Sequence, residues 1–422
     1  MSSSPAESGE NRVAIQPLVR ISSLGEIEEM GNLQVLNEGR WFFDGKKLPS
    51  IMKREEFSTG YYPGFPWFLD SMRPSGFLGR AFGKYVSKLS NLSDDPEMWS
   101  DLELLELLAT KDCENMPGNF IIGQEALDEY LEVRNQIRSN NFGPYTYNDY
   151  PELADNALLG NAKVGSSAGG EQPKFASVVQ NPKDEGYKHV LVKFTSPRLD
   201  QPAGQRWGDL LIAEQTANAV LRKHRFETAE TKVLKDKKER RFLESERFDR
   251  VGLLGRRGMI SIGSLDAALV GTSLRNWVES ATALQEADYI SSSDLETIRE
   301  LYSFGQMIGN ADMHPGNLSF FLPEIEGELF KLCPVYDMLP MRYRPNSQGE
   351  ILPVSFKLDL PKAENMEARE KMYPKALEFW DSLSMDEQLS EDFRRIAIQA
   401  REDLEILHSA QLKGNSITQV NS

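Results

Sequence analysis

The chain has 422 residues, of which 40% are hydrophobic and 27% are charged. This length and composition exclude a mainly disordered or fibrous protein and predict two or three packed units. The 48 Lys and Arg residues against 64 Asp and Glu residues give a net charge of −16, which disfavours direct binding to nucleic acid or to an anionic membrane.

The cysteines and the N-terminal residues favour a location in the cytoplasm. Cys113 and Cys333 lie in different halves of the chain and lack metal-ligand spacing, so neither a disulfide framework nor a zinc site is expected. Residues 1–12 are polar, without the apolar core of a signal peptide, and no 18 apolar residues run together. We therefore predict a cytoplasmic protein in a reducing environment, with no membrane partner.

The first part of the chain predicts a small unit of strands and helices. Apolar residues alternate in VAIQPLVRI (13–21) and again in NLQVLNEGRWFFDG (32–45), which is typical of strands. MWSDLELLELLAT (98–110) has apolar residues at helical spacing. The unit is expected to end near residue 145, where a connector rich in Pro, Asn and Tyr begins that we expect to be packed. Four aromatic residues are expected in the core rather than in a partner groove: Phe65, Trp67, Phe68 and Phe77.

The middle part predicts a sheet next to a long helix. FASVVQ and YKHVLVKF, joined by a polar turn, have the pattern of a hairpin, and RWGDLLIAEQTANAVLRKH has the apolar stripe of a helix. Two further strands, ETKVL and RFLESERFDRV, flank the charged run KDKKERR (235–241). We expect this run to be a solvated hairpin turn, with a nucleic-acid contact as the alternative. From Gly271 helices dominate, apart from short strands near LSFFL and LFKLCPVYD, and the end of the chain predicts two or three amphipathic helices.

The strongest functional signal is GNADMHPGNLSFF (309–321), followed by PVYDMLP (334–340). Asp312 and Asn317 have the spacing of the H-R-D-x-x-x-x-N catalytic loop of protein kinases. In such a loop the Asp accepts a proton from the attacking hydroxyl, while the Asn holds magnesium on the phosphates. Asp337 follows at the end of an apolar strand, where a kinase places its second metal-binding carboxylate, and both side chains offer the oxygen ligands that magnesium prefers.

Residues upstream extend this set. GSSAGGEQPKFA (165–176) is a glycine-rich loop that could cradle phosphates, although it matches neither G-x-G-x-x-G nor a P-loop and could be a simple turn. Lys193 closes a strand, as a nucleotide-binding kinase lysine does, and Glu214 lies on the next helix, where it could orient that lysine. The candidate nucleotide contacts are Ser167, Gly169, Gly170, Lys174, Lys193, Glu214 and His314.

Taken in order, these motifs resemble the HipA-type serine/threonine kinases, the toxins of bacterial toxin–antitoxin systems, and in particular an extended HipA-like branch. The resemblance covers most of the chain. It includes segment 65–80, SAGGEQPK (167–174), VLVKF (190–194) and AEQTANAVL (213–221). It continues through SERFDRVGLLGRRG (245–258), GSLDAALVG (263–271), GNADMHPGNLSF (309–320) and VYDMLP (335–340).

The resemblance implies an α+β fold of the two-lobed protein-kinase type, with a small N-terminal α/β subdomain and a mostly helical C-terminal lobe. It implies transfer of the ATP γ-phosphate to a protein Ser or Thr with magnesium, the family precedent being a translation-related substrate. The implied regions are a disordered tail at 1–12, an N-terminal subdomain at 13–145, an ATP-binding region at 146–270, a catalytic lobe at 271–413 and a disordered tail at 414–422.

By the same resemblance, Asp312 is the catalytic base, Asn317 and Asp337 are the metal ligands, and Lys193 with Glu214 holds the nucleotide. The family's loop serine is autophosphorylated; here Ser166 and Ser167 are the candidates, and the loop has one extra residue. Segment 261–266, SIGSLD, departs from the founding toxin, which puts a shared substrate or antitoxin contact there in doubt. A small DNA-binding antitoxin is a possible partner.

Several residues have simpler interpretations. We expect His314 to brace the loop rather than transfer protons. Arg247, Asp249 and Arg250 could contact the nucleotide or form an ion-paired hinge between lobes. Asp266 is expected at a helix N-terminus.

Two rival functions remain open. One is a small-molecule phosphotransferase of the same fold. A closed acidic pocket would favour this function, whereas an open groove favours a protein acceptor. The other is a non-catalytic nucleotide-binding or DNA-associated module, against which the full set of Lys193, Asp312, Asn317 and Asp337 and the acidic pI of about 4.9 argue.

Overall fold

The structure is a computed structural model of the chain. It describes residues 14–36, 39–53, 59–113, 115–139, 142–160, 172–180, 186–196, 201–272 and 276–414.

The N-terminal part is built on an antiparallel sheet in the order β4-β3-β2-β1-β5. Its strands are β1 (Ala14–Ile21), β2 (Ile27–Val35), β3 (Trp41–Phe42), β4 (Tyr61–Tyr62) and β5 (Phe120–Ile122). The predicted strands are confirmed, because alternate residues such as Leu18 and Leu33 are fully buried.

Three helices complete this part: α1 (Gly76–Leu89), α2 (Asp101–Leu108) and α3 (Gln124–Arg138). The predicted helix at 98–110 is confirmed as α2, which begins at a capping box in which Ser100 and Glu103 bond each other's main chain. Trp67 and Phe68 are buried, and Phe65 and Phe77 pack against the same core, so the core assignment of the four aromatic residues is confirmed.

The middle part contains a four-stranded antiparallel sheet in the order β6-β7-β9-β8. Its strands are β6 (Lys174–Gln180), β7 (Tyr187–Phe194), β8 (Thr231–Lys235) and β9 (Arg241–Glu246), and the long helix α5 (Pro202–Lys223) packs beside it. The predicted hairpins and helix are confirmed. The charged run 235–241 forms the turn between β8 and β9, although Arg240 within it is buried and donates to the main-chain oxygen of Thr195 at 2.9 Å.

The segment predicted as a connector contains a helix, α4 (Tyr150–Leu159). Pro151 lies in its first turn, where a missing N–H is tolerated, and Gly160 ends it with a φ of +60°. Ala154 and Ala157 of α4 belong to a second hydrophobic cluster with strand residues such as Val192. The connector is therefore packed, as expected, and α4 covers the face of the second sheet that carries these residues.

The C-terminal part is mostly helical, as predicted. Its helices are α6 (Ile262–Leu269), α7 (Trp277–Glu286), α8 (Ser292–Met307), α9 (Met366–Met385) and α10 (Glu391–Leu412). Its short strands are β10 (Arg250–Val251), β11 (Gly255–Arg256), β12 (Met259–Ser261), β13 (Ser319–Phe321) and β14 (Lys331–Leu332). Because β12 pairs with β13, residues 259–261 lie against the segment that follows the GNADMHPGN motif.

One large hydrophobic cluster extends from the first sheet through α5 to α9 and α10. The described helices include none with the length and apolar character needed to cross a membrane.

Candidate active site

Lys193, Glu214 and Asp337 meet at the centre of the molecule. The Lys193 Nζ lies 2.7 Å and 2.6 Å from the two carboxylate oxygens of Glu214 and 2.5 Å from the Asp337 Oδ1. Lys193 and Glu214 are 3% and 1% exposed, so these contacts are shielded from water. The amine and the two carboxylates, which come from distant parts of the chain, thus share one site.

Each of the three side chains is placed by its local structure. Lys193 is the penultimate residue of β7, and its neighbours Val192 and Phe194 point to the opposite, apolar face of the sheet. Glu214 lies in the middle of α5. Asp337 has a φ of +53°, a left-handed conformation that Asp tolerates better than most residues, and this conformation directs the chain out of the strand-like segment before it.

The charges in this triad depend on one another. Burial alone would lower the pKa of Lys193, but Asp337 and Glu214 outweigh burial and hold that pKa above its ordinary value. Burial acts to raise the pKa of Asp337, and the nearby Lys193 and Lys174 more than offset it, so the pKa is lowered and Asp337 is ionised. Burial raises the pKa of Glu214 in spite of Lys193.

The catalytic-loop candidates follow α8. The Asn317 Nδ2 donates to the main-chain oxygen of Asp312 at 2.8 Å and lies 3.5 Å from its Oδ2. His314 accepts a bond from the Gly316 N–H through Nδ1, and its own carbonyl accepts the Trp277 indole N–H at 2.9 Å. His314 therefore braces the loop, as expected.

Two further residues hold this loop: Asn310, which the sequence analysis did not single out, and Tyr336, which from its position beside Asp337 is expected only to pack and to fix the direction of that aspartate. The Asn310 Oδ1 accepts the Asp312 N–H at 3.0 Å, and its Nδ2 lies 3.4 Å from the Asp337 main-chain oxygen, so it joins the two motifs. The Tyr336 hydroxyl donates to the Gly316 oxygen at 3.0 Å and lies 2.8 Å from the Ser319 Oγ. Their places in the sequence could have indicated this role, because each residue lies within two positions of a candidate acid.

Lys174 is 2% exposed and lies directly opposite Lys193 in the β6–β7 ladder, so both lysines face the same side of the sheet. Its charge helps Lys193 to lower the pKa of Asp337 and opposes the rise that burial causes in the pKa of Glu214. The other glycine-loop candidates lie outside the described residues: Ser166, Ser167, Gly169 and Gly170.

These side chains line a cleft of about 1420 Å³. Lys174, Lys193, Asp312, Asn317 and Asp337 all face it. The N-terminal part supplies one wall through residues 70–76, and the segment after Asp337 supplies another through residues 339–354. All three parts of the chain therefore contribute to one site.

The hinge residues form a buried ion-pair cluster. The Asp249 Oδ2 lies 2.8 Å from Arg247 and 2.7 Å from Arg250, and the two arginines also donate to the main chain of Met116. The expected ion pairing is present, and it joins this segment to residues 115–118 of the N-terminal part. Arg247 and Asp249 also line the cleft.

The expectation for Asp266 is wrong. Ser261, not Asp266, is the N-cap of α6, and Asp266 lies inside the helix with no exposed surface. Its carboxylate accepts bonds from the main chain and hydroxyl of Thr272 and from the Ser280 hydroxyl. The fold can hold a buried acid here because three donors converge on its carboxylate.

The lysine–glutamate pair, the Asp–Asn loop and the second Asp around one cleft define a two-lobed, protein-kinase-like fold and site. Comparison with known families agrees: residues 13–131 match the middle domain of YjjJ-like toxins, and residues 166–405 match the HipA-like C-terminal domain. The chain belongs to the HipA-like toxin family.

Individual relatives are consistent with this assignment. Toxin YjjJ of Escherichia coli strain K12 is 38% identical over 341 residues, which is 80% of this chain and 74% of that protein. Two solved structures are distant matches. The HipA–HipB–operator DNA complex of Shewanella oneidensis matches at 14% identity and a TM-score of 0.45, covering 83% of this chain and 85% of the other. The Helicobacter pylori kinase CtkA matches at 12% identity and a TM-score of 0.40, covering 56% and 88%.

Proposed function

We propose that this protein is an ATP- and magnesium-dependent serine/threonine-protein kinase that acts as a toxin. The observation that carries the proposal is the contact of Lys193 with both Glu214 and Asp337 in the cleft that also contains Asp312 and Asn317. A structural ion pair has no need of a cleft or of a second carboxylate. A nucleotide site needs all of these groups.

The donor set fits magnesium. The Asn317 Nδ2 bonds to its own loop, and among the described residues no donor binds its amide oxygen. Asp337 supplies a carboxylate oxygen, and the described part of the chain contains no cluster of three or more His, Cys, Asp or Glu that could hold a metal. Magnesium suits such a site, because it takes one or two protein oxygens and completes its shell with phosphates and water.

When bound, the magnesium nucleotide supplies the phosphoryl group and neutralises its charge. Lys193, oriented by Glu214, binds phosphate oxygens, and the buried Lys174 adds a second positive charge on the same wall. Asp312 accepts the proton of the acceptor hydroxyl. The chain thereby contributes mainly positioning and electrostatic stabilisation, which is what phosphoryl transfer requires.

The size of the cleft favours a protein acceptor over a small molecule. Its volume of about 1420 Å³ exceeds the about 300–1000 Å³ of typical small-molecule sites. Residues 70–76 of the N-terminal part add a wall to the same cleft. A small-molecule phosphotransferase would be expected to close this space.

Family membership supports the toxin role, pairing with an antitoxin, and autophosphorylation at Ser166 or Ser167. The buried, fully paired Lys193 argues against a decayed, non-catalytic module. Burying a lysine costs free energy, so a lysine without a function would not be retained at such a position.

The test is incubation of the full chain with γ-labelled ATP, magnesium and a cell extract. We expect labelled acceptor proteins, together with self-labelling that is lost when Ser166 and Ser167 are both changed to Ala. If neither the chain nor any extract protein is labelled, the kinase proposal is wrong.

A further inference from the structure

The helix that carries Glu214 is fastened to the C-terminal helices at its far end. The Lys223 Nζ lies 2.6 Å from one carboxylate oxygen of Glu378 in α9, and the His224 Nε2 lies 2.8 Å from the other. These contacts are partly exposed and contribute little. The stronger contacts lie in the first half of α5, on Arg206 and Asp209.

Asp209 joins three elements through one fully buried carboxylate. Its Oδ1 accepts the Ser390 N–H at 3.0 Å and an Arg241 N–H at 3.1 Å, and its Oδ2 accepts the Ser390 hydroxyl at 2.6 Å. Ser390 is the N-cap of α10, and Arg241 begins β9. The carboxylate therefore lies at the N-terminus of α10, where the helix dipole favours a negative charge.

Arg206 joins α5 to the segment that follows Asp337. This side chain is 3% exposed, and it donates to the main-chain oxygen of Tyr343 at 2.7 Å and to Asp392 at 2.6 Å. Its guanidinium carbon also lies 5.4 Å from the centre of the Phe393 ring. Because the Asp392 side chain is mostly exposed, the buried bond to Tyr343 is the more important one.

We propose that Arg206 and Asp209 are positioning residues that hold Glu214 against Lys193, so that this ion pair is assembled permanently. The functional meaning of this inference rests on the proposed kinase activity. Movement of the corresponding helix controls the ion pair in many protein kinases. Here such a movement would expose Asp209 and Arg206 without their partners, so α5 does not act as the switch of this site.

Hydrogen exchange of the full chain tests the inference without any need for activity. In Arg206→Gln and Asp209→Asn we expect the α5 amides around Glu214 to exchange at least about tenfold faster than in the wild type. Arg369→Gln is the matched control, since Arg369 is 2% exposed and donates to the main-chain oxygen of Asp359 at 2.7 Å. If α5 exchanges at the wild-type rate in both test variants, or equally fast in the control, the proposal is overturned.

Two additions keep the test decisive. Arg206→Lys keeps the charge and a donor, so it replaces Arg206→Gln in the test if that variant does not fold, and its α5 exchange should be intermediate. The dissociation constant of ATP should rise about fivefold or more in Arg206→Gln, but not when Glu214 is already changed to Gln, because Arg206 acts through that residue. An equal rise in both backgrounds contradicts the positioning role. A wild type without phosphoryl transfer would refute the kinase proposal and leave the exchange result valid.

Discussion

Asp312 and Asp337 face the same cleft with different partners, so substituting each of them tests its part in the proposed mechanism. Asp312→Asn removes the proton acceptor, and Asp337→Asn removes the carboxylate next to Lys193 while keeping a residue that also tolerates a positive φ. We expect each to lower phosphoryl transfer from γ-labelled ATP by at least about 100-fold. The unfolding temperature should confirm that both variants fold. Near-wild-type transfer by either variant would remove that residue from the mechanism.

His189 predicts a pH dependence of stability. Burial, with Arg250 and Arg247 nearby, lowers its pKa from 6.5 to about 3, so the folded protein keeps it neutral while the unfolded chain binds a proton. Between these two values the unfolded state binds more protons, and stability therefore falls as pH falls, by up to about 1.4 kcal/mol per pH unit.

In His189→Gln this part of the slope should disappear. The free energy of unfolding in urea, measured at several pH values between about 4 and 6.5, checks it, with the exposed His224→Gln as control. An unchanged slope in His189→Gln would contradict the assignment.

At the scale of residues, the sequence allowed us to single out candidates that recur at a characteristic spacing in a known type of site. Asp312, Asn317 and Asp337 could be singled out because their spacing matches that of a kinase catalytic loop, and the structure places all three on one cleft. Asn310 and Asp266 could not be interpreted in this way, because their roles depend on which donors and acceptors the fold brings near them.

At the scale of elements, the Tyr336 hydroxyl supplies two of the bonds that hold the loop from Asp312 to Ser319. Tyr336→Phe removes the bonds to the Gly316 oxygen and the Ser319 hydroxyl and leaves the ring in place. We expect a loss of about 1–3 kcal/mol in stability and about tenfold in phosphoryl transfer, because Asn317 follows Gly316 directly. Tyr373→Phe on α9 is the control and should change neither quantity. Full activity in Tyr336→Phe would show that the loop needs no such bond.

The elements themselves were predictable where periodicity is strong. The β6–β7 hairpin and α5 have clear apolar patterns, and both were found. The helix α4 was missed because its sequence, YPELADNALL, contains a proline and two acids and gains its stability by covering the apolar face of a sheet distant in sequence.

At the scale of the whole molecule, the N-terminal part packs against the rest of the chain and is not joined to it by a linker alone. The two parts share one hydrophobic cluster, and Gly255 approaches so closely that a Cβ there would lie 2.0 Å from the Ser23 oxygen. The Arg256 N–H also donates to the Ser22 oxygen at 3.0 Å. The wall that residues 70–76 add to the cleft is therefore held in place, and under the proposed function it would help to select the acceptor.

The cluster around Asp249 is the polar centre of this junction. Asp249 accepts bonds from Arg247, Arg250 and the Gly118 N–H, and although burial acts to raise its pKa, the two arginines hold the pKa well below its ordinary value. Asp249→Ala leaves two buried guanidinium groups without their carboxylate. We expect a loss of about 3–5 kcal/mol in the free energy of unfolding.

Urea unfolding measures this loss, and hydrogen exchange should show faster exchange in β5, which begins two residues after Gly118. Glu391→Ala, which removes an exposed carboxylate paired with Arg395, is the control and should leave stability unchanged. If the free energy of unfolding of Asp249→Ala lies within about 1 kcal/mol of the wild-type value, the junction depends on its apolar packing and main-chain bonds instead. The ion-pair cluster would then have no part in fixing the N-terminal wall of the cleft.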